Sequence, residues 1–197
     1  MRITDLLSAS SIDLNAKPLN KKEAIEQAVK LMAASGNITD IEAYTKQVIA
    51  REEESTTGVG EGIAIPHGKC SAVSRPGLAA MIIRDGVDYD SLDGEPVNVL
   101  FLIAAPDSED NVHLDVLSKL SVLLMDEEFI RKLKAAKDIG EFLEVIDNAD
   151  SESKSIDERL QDTGTYNCHN FQWMHSPPGC QHFFCRFFFH FIHVPVL

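Results

Sequence analysis

The sequence predicts an α/β domain over residues 1–148, on the strength of three observations. Short apolar runs that suit buried strands alternate with longer segments in which apolar residues recur at helical spacing. Side chains that cap helix N-termini precede the helical segments, and glycine or proline ends several elements. These local signals agree with one another, and strands alternating with helices are typical of a sheet flanked by helices.

Two capped helices are predicted early in the chain, after a short helix behind Thr4 and a brief extended piece. Asn20, with a glutamate three positions later, is a capping signal, and Gly36 closes the helix that follows. Thr39 gives the same signal for the second helix, which ends in the charged run at residues 51–54. The three glutamates of that run are interpreted as a solvated face rather than a metal site.

A glycine-rich stretch at residues 58–69 carries the chemistry around which the chain is organised. Its apolar run at residues 63–65 is too short for a helix and is predicted to be a buried strand. Pro66 cannot continue a central strand, so the strand is predicted to end there. His67 would then lie at the carboxyl end of a strand, on a turn opened by Gly68, where open α/β sheets carry their active groups.

His67 is the candidate catalytic residue, because a neutral imidazole nitrogen is a nucleophile near neutral pH. Gly68 lets the backbone approach a ligand closely, and Lys69 adds positive charge beside it. This combination suits an incoming phosphoryl group. The residues alone also fit a histidine that merely caps a strand. Cys70 is not interpreted as the nucleophile, because adjacent residues rarely direct both side chains onto one substrate.

The motif G-x-G-x-x-[IV]-P-H-G at residues 60–68 resembles the phosphorylation site of enzyme IIA domains of the fructose–mannitol type. These domains belong to the bacterial phosphoenolpyruvate-dependent sugar phosphotransferase system, and the resemblance extends over residues 1 to about 148. It implies a single mixed β-sheet flanked by helices, with His67 as the phosphorylated residue. A later segment, D-G-x-x-V-x-x-x-F-L-I-A at residues 93–104, is similar to the fructose branch.

Two apolar runs predict the central strands. The run at residues 78–83 is interpreted as a buried strand followed by a turn at Asp85-Gly86. An acidic, turn-rich excursion separates it from residues 97–103, the most apolar run of the domain, which Pro106 ends. A helix is then predicted over roughly 110–125, with His113, Leu117, Leu120 and Leu124 on its inward face.

His113 is the second candidate site residue. The helical spacing alone also fits a satisfied core histidine. However, His67 and His113 each follow a predicted strand, and neighbouring strands would bring their loops to the same edge of the sheet. In the IIA family a second histidine lies near the phosphorylated one in a D-x-x-H-L segment, which residues 110–114 match. The resemblance implies that His113 donates a hydrogen bond to the phosphoryl group or fixes its orientation.

Arg51 is the third candidate, at the end of the second predicted helix. It fits a cation stabilised by the helix dipole, and it equally fits a guanidinium that clamps phosphoryl oxygens. In the IIA family an arginine at this position assists phosphoryl transfer, and the resemblance implies that role for Arg51.

Two short helices are predicted to finish the domain, with Asp126 capping residues 127–135 and Asp138 capping residues 140–146. Residues 149–163 are polar and charged, and their composition predicts a linker. Residues 164–197 differ from the rest of the chain, because they hold five of the seven histidines, three of the four cysteines and seven of the ten phenylalanines. They are predicted to be a non-native or disordered tail.

A zinc site is the alternative interpretation of this tail, and the candidate ligands are Cys168, His169, Cys180, His182 and Cys185. Their spacing matches no pair-of-pairs pattern, so a zinc site is not favoured. A metal titration with and without residues 164–197 would decide whether the tail binds zinc.

Composition narrows the function classes. Lys+Arg 18 against Asp+Glu 31 gives a net charge of −13, which disfavours nucleic acid as a partner. The start MRITDLLSAS has no apolar signal-peptide core, and no stretch suits a membrane span. With one cysteine before residue 168, no disulfide framework is expected in the domain. These features predict a cytoplasmic protein.

The resemblance implies a relay mechanism. The phosphocarrier HPr would pass a phosphoryl group to Nε2 of His67, which would pass it to a cysteine of a IIB domain, for sugar uptake through a membrane IIC domain. That partnership would hold the chain at the inner face of the membrane, and neither metal nor organic cofactor is required. The alternative is a regulatory IIA protein of the nitrogen-related branch, which acts through phosphorylation-dependent protein binding. The resemblance leaves the sugar undefined, with fructose favoured.

Overall fold

The computed structural model describes residues 2–107 and 112–162, with the backbone alone for residues 112–115, 117 and 152–162. In chain order the elements are a 3-10 helix at Ile3–Asp5, β1 (Leu7–Asp13), α1 (Lys21–Ala34), α2 (Ile41–Glu54), β2 (Gly58–Gly60), β3 (Ile63–Ala64), β4 (His67–Lys69), β5 (Gly77–Val87), β6 (Val97–Ala105), α3 (Val112–Leu123), α4 (Glu127–Ala135) and α5 (Ile139–Asp162). The atypical tail and its possible zinc ligands lie outside the described residues.

The six strands form one mixed sheet in the order β1-β5-β6-β3-β2, with β4 also paired to β6. Pairing is antiparallel between β5 and β6 and between β2 and β3, and parallel in the other pairs. The predicted single mixed sheet is therefore confirmed. The apolar run predicted to be central is β6, which has β5 on one side and β3 and β4 in succession on the other.

Two hydrophobic cores cover the two faces of this sheet. Alternate residues of β6 point to opposite faces, as the period of a strand requires. Phe101 packs with residues of α3, α4 and α5, and its ring stacks on Phe142 at 6.4 Å between centroids. Leu100 and Leu102 pack in the other core, with residues of α1 and α2. Because both faces are buried, β6 is continuously apolar rather than alternating.

Most of the predicted helix starts are confirmed. The Asn20 side chain accepts a hydrogen bond from the backbone N–H of Glu23, and Asp126 caps α4 in the same way. The prediction that Thr39 caps α2 is wrong. Asp40 is the cap, whereas the Thr39 hydroxyl donates to the Ala72 carbonyl oxygen at 2.9 Å.

Three element lengths differ from the prediction. The brief extended piece near the start is the seven-residue strand β1. The prediction of a turn at Asp85-Gly86 is wrong, because β5 continues to Val87 through a shift in register, with Gly86 at a φ of 73°. The last predicted helix follows Asp138 as expected, but it runs to Asp162 and includes most of the stretch whose composition predicts a linker.

Among the described residues, no helix is long and apolar enough to cross a bilayer.

Candidate functional site

The His67 segment is built differently from its prediction. The chain does not leave the sheet at Pro66, because β3 and β4 both pair in parallel with β6. Ile63 pairs with Val99 and His67 pairs with Ile103, while the Pro66 carbonyl oxygen accepts the Ile103 N–H at 3.0 Å. Proline removes a donor but keeps its acceptor, so the pairing is interrupted and then resumes. His67 is therefore the first residue of a strand and not part of a turn.

Gly68 also has a role that the sequence did not indicate. It is the second residue of β4 rather than the opening of a turn. A Cβ atom at this position would lie 3.0 Å from Cγ2 of Val48 and 3.1 Å from Cε2 of Tyr44. A larger residue would crowd Val48 and Tyr44, so glycine lets α2 pack closely on the strand that begins at His67.

A buried tyrosine fixes α2 against this part of the sheet. The Tyr44 hydroxyl donates a hydrogen bond to the carbonyl oxygen of Ile103, the residue paired with His67, at 2.9 Å. Burial raises the pKa of Tyr44 far above its usual value, and the nearby Cys70 thiol adds to that effect. The hydroxyl therefore stays protonated and able to donate. No local pattern in the sequence indicates this bond, because Tyr44 and Ile103 are 59 residues apart.

Replacing Tyr44 by phenylalanine is expected to reduce the free energy of unfolding by about 1 kcal/mol, because the ring remains and one buried hydrogen bond is lost. Urea denaturation with an unchanged m-value measures the difference. Thr45→Val is the matched control, since it removes a hydroxyl that bonds the Ile41 carbonyl oxygen within the same helix. Equal losses in both variants would contradict a special role for Tyr44.

The imidazole of His67 is held by its own backbone. Its Nδ1 lies 3.0 Å from the carbonyl oxygen of Ile65, and the side chain is half-buried. A carbonyl oxygen only accepts hydrogen bonds, so the geometry assigns the proton to Nδ1. In the neutral ring the lone pair is then on Nε2, which makes Nε2 the nucleophilic nitrogen. The peptide backbone therefore selects the tautomer of His67.

Arg51 lies on the same side of α2 as Tyr44 and Val48, one turn beyond the residues that contact Gly68. Its Nη1 donates to the Ser55 carbonyl oxygen and to the Ser55 hydroxyl, both at 3.2 Å, and the side chain is half-buried. These bonds hold the guanidinium at the end of the helix that packs on the His67 strand.

The prediction that the strands before the two histidines are neighbours is confirmed, because β3, before His67, and β6, before α3, pair in parallel. β4, which begins at His67, continues along the same edge of β6, and Lys69 at its end pairs with Ala105 at the end of β6. His113 is the second residue of α3, the helix that follows β6. The described backbone therefore places α2 and the end of β6 beside β4, the strand that begins at His67.

The glutamates at the end of α2 are not all solvated, so that interpretation is wrong for Glu52. The residue is 7% exposed and its carboxylate contacts the Lys21 ammonium at 2.8 Å, whereas Glu53 and Glu54 are exposed. One signal could have identified it, since Glu52 lies four residues after Val48 on the buried side of the helix. The described residues contain no cluster of three or more His, Cys, Asp or Glu residues able to hold a metal ion.

A protein-family model described as "Phosphoenolpyruvate-dependent sugar phosphotransferase system, EIIA 2" matches residues 5–149. The chain belongs to this family. Membership confirms the predicted resemblance and identifies the chain as a component of a phosphotransferase system. The chain is 41% identical over 150 residues to the fructose-specific EIIABC component of Bacillus subtilis. That alignment covers 76% of this chain but 24% of the relative, so the chain spans about a quarter of its length.

Two solved structures share the fold of this EIIA domain. The nitrogen regulatory protein IIA-Ntr of Neisseria meningitidis is 29% identical with a TM-score of 0.65, and covers 73% of this chain and 98% of its own. The Escherichia coli complex of enzyme IIAMTL with phosphorylated enzyme IIBMTL matches at 29% identity and a TM-score of 0.63, over 72% of this chain and 97% of that one.

Proposed function

We propose that this EIIA domain carries phosphoryl groups on Nε2 of His67. The observation that carries the proposal is the hydrogen bond from Nδ1 to the Ile65 carbonyl oxygen, which leaves the lone pair on Nε2. That lone pair attacks the phosphorus of phosphohistidine on HPr. As the new N–P bond forms, the bond to the HPr imidazole breaks and that ring leaves with the electron pair. A cysteine thiolate of a IIB domain then takes the phosphoryl group from Nε2 in the same manner.

Arg51 and His113 assist this transfer in the proposed mechanism. The transferred phosphoryl group spreads negative charge over its oxygens, so catalysis depends on positioning and charge stabilisation. A guanidinium suits this task because its planar fork donates to two oxygens at once. The tether to Ser55 restrains Arg51, which reduces the entropy that it loses when it engages the phosphoryl group. His113 donates a hydrogen bond to the group or fixes its orientation.

Incubation with phosphorylated HPr tests the proposal directly. The protein should gain the mass of one phosphoryl group, and peptide mapping should find it on His67. The linkage should be labile in acid and stable in base, as a phosphoramidate is. No mass gain, or a phosphoryl group on another residue, would contradict the proposed function.

The physiological output is proposed to be sugar uptake, with fructose as the favoured sugar. The relative named as fructose-specific is 41% identical and carries EIIA, EIIB and EIIC in one chain, and the phosphorylated IIB partner of the Escherichia coli complex supports transfer to a IIB domain. The regulatory alternative is supported by the fold of IIA-Ntr, at 29% identity. Sugar uptake measured in cells that hold the remaining transporter domains separates the transport function from the regulatory one. In the transport function this domain would act at the inner face of the membrane, and uptake would require it.

Residues 1–150 are proposed to suffice for phosphorylation, and deletion of residues 151–197 should leave the rate unchanged and improve solubility. The core residues that the structure describes all lie before residue 151, and so does the buried Asp150, whose carboxylate accepts the Ile3 N–H at 3.3 Å. Deletion of residues 163–197 is the matched control, because it keeps the whole of α5. A shortened protein that melts several degrees lower than this control, or no longer accepts phosphate, would contradict the proposal.

A further inference from the structure

Glu52 carries a buried carboxylate to which the proposed mechanism assigns no role. It lies next to Arg51 in α2 but points into the protein, with 5% of its side chain exposed. A buried carboxylate is costly unless charge and hydrogen bonds compensate it. Lys21 supplies the charge at 2.8 Å, and the Lys21 ammonium also lies 5.1 Å from the centre of the Tyr89 ring.

Thr57 supplies the hydrogen bonds. One carboxylate oxygen of Glu52 accepts the Thr57 backbone N–H at 2.8 Å, and the other accepts the Thr57 hydroxyl. The Tyr89 hydroxyl lies 3.3 Å from the same Thr57 hydroxyl, and burial followed by the neighbouring Glu52 charge raises the pKa of Tyr89. Two bonds from one carboxylate to one residue fix both the position and the orientation of the Thr57 backbone.

Thr57 is joined to His67 through a single intervening residue. The Thr57 carbonyl oxygen accepts the Ile65 N–H at 3.0 Å, and the Ile65 carbonyl oxygen accepts Nδ1–H of His67 at 3.0 Å. A continuous series of hydrogen-bonded residues therefore leads from the carboxylate to the imidazole. A shift of Thr57 would move the Ile65 backbone, and with it the acceptor that selects the His67 tautomer.

We propose that Glu52 is a positioning residue for His67, which anchors the Thr57 and Ile65 backbones so that Nδ1 holds the proton and Nε2 faces the incoming phosphoryl group. The inference rests on the proposed function for its catalytic meaning. Its structural part concerns the unphosphorylated imidazole and can be measured without any transfer.

A carboxylate is required at this position because of the number and charge of its partners. It accepts from an ammonium, an amide and a hydroxyl at once. A glutamine would offer one good acceptor and turn its NH2 either toward the Lys21 ammonium and the Thr57 N–H, which both donate, or toward the Thr57 hydroxyl, which would have to change from donor to acceptor. Glu52→Gln therefore keeps the size of the side chain, removes the charge that pairs with Lys21 and weakens the anchoring of Thr57.

The test measures the nitrogen chemical shifts of the His67 imidazole in the full chain, which report the tautomer directly. In the wild type the neutral ring should be predominantly protonated on Nδ1. In Glu52→Gln the Nε2-protonated form should become detectable, and transfer from phosphorylated HPr should slow by about tenfold, the scale on which supporting hydrogen-bond partners act. Phosphoryl acceptance that fails in the wild type would refute the proposed function, while the tautomer data would still decide the anchoring.

Two control variants separate positioning from general loss of stability. Glu53→Gln makes the same change at the exposed neighbour and should alter neither tautomer nor transfer. Asp150→Asn weakens a buried carboxylate on α5, which is 3% exposed and bonds Ile3, so it should lower stability without changing the His67 tautomer. An equal tautomer change in Asp150→Asn would overturn the proposal.

Thr57→Val supplies a milder second variant, which decides the matter if Glu52→Gln does not fold. It removes the hydroxyl that bonds Glu52 but keeps the backbone N–H and the carbonyl that holds Ile65. A smaller tautomer shift in the same direction supports the proposal. If Glu52→Gln and Thr57→Val, or whichever of the two folds, show the wild-type imidazole spectrum, the proposal is overturned.

Discussion

Replacing His67 by alanine is expected to abolish phosphoryl acceptance while leaving the sheet intact. The substitution removes Nε2, the atom to which the phosphoryl group is transferred in the proposed mechanism. The fold should survive because the backbone pairing of β4 with β6 does not depend on the imidazole. The lost side-chain bond to Ile65 should cost about 1 kcal/mol of stability. Mass spectrometry after incubation with phosphorylated HPr measures the first effect, and thermal melting measures the second.

His67→Asn is the matched control for this substitution. The asparagine amide can donate to the Ile65 carbonyl oxygen much as Nδ1–H does, but it offers nothing in place of Nε2. We therefore expect Asn to recover part of the lost stability and none of the phosphoryl acceptance. Acceptance of phosphate at a normal rate by the alanine variant would rule out His67 as the carrier.

The elements that could be predicted from the sequence are those that local chemistry decides. Asn20 caps α1 with its own side chain, and Asp126 does the same for α4, so each start is set within four residues. The continuous apolar run of β6 indicated its central position, because a strand buried on both faces has no polar side. Asp40 displaced Thr39 as the cap of α2 because the Thr39 hydroxyl bonds Ala72, a partner 33 residues away.

The features that could not be predicted depend on partners distant in sequence. The strand at His67 resumes after Pro66 because β6 offers a continuous edge with which residues 67–69 pair. The ion pair that compensates the buried Glu52 depends on Lys21, which comes from another helix. No local pattern contains either partner.

The candidate site also contains features that the local sequence indicates and features that it does not. His67 could be identified from its motif, and the pairing of the strands before the two histidines followed from sheet topology. The bond that selects the His67 tautomer was not predicted, because it needs the backbone path between Ile65 and His67. Arg51 and His113 depended on the family resemblance, since each residue equally fits a structural role by spacing alone.

Alanine substitutions of Arg51 and of His113 are expected to slow phosphoryl transfer by roughly tenfold to a thousandfold each, the effect of removing one donor that stabilises developing charge. Both variants should keep the fold. The Arg51 side chain bonds Ser55 within the same helix end, so its loss leaves the α2 packing through Tyr44 unchanged. Arg84→Ala is a matched control, because it removes an exposed guanidinium that bonds Asn15 and should not affect transfer.

Steady-state kinetics of the Arg51 variant distinguish a guanidinium that assists the transfer step from one that only binds HPr. If Arg51 stabilises the phosphoryl group during transfer, the rate at saturating HPr should fall, whereas loss of a docking contact would raise the HPr concentration needed for half-maximal rate.

Arg51→Lys should recover only part of the rate, because an ammonium keeps the charge but not the bidentate geometry of the guanidinium. In the proposed mechanism Arg51 and His113 act on the same group, so the double alanine variant should lose less than the product of the single effects. Unchanged kinetics in both single variants would remove them from the site and leave charge stabilisation to other groups around His67.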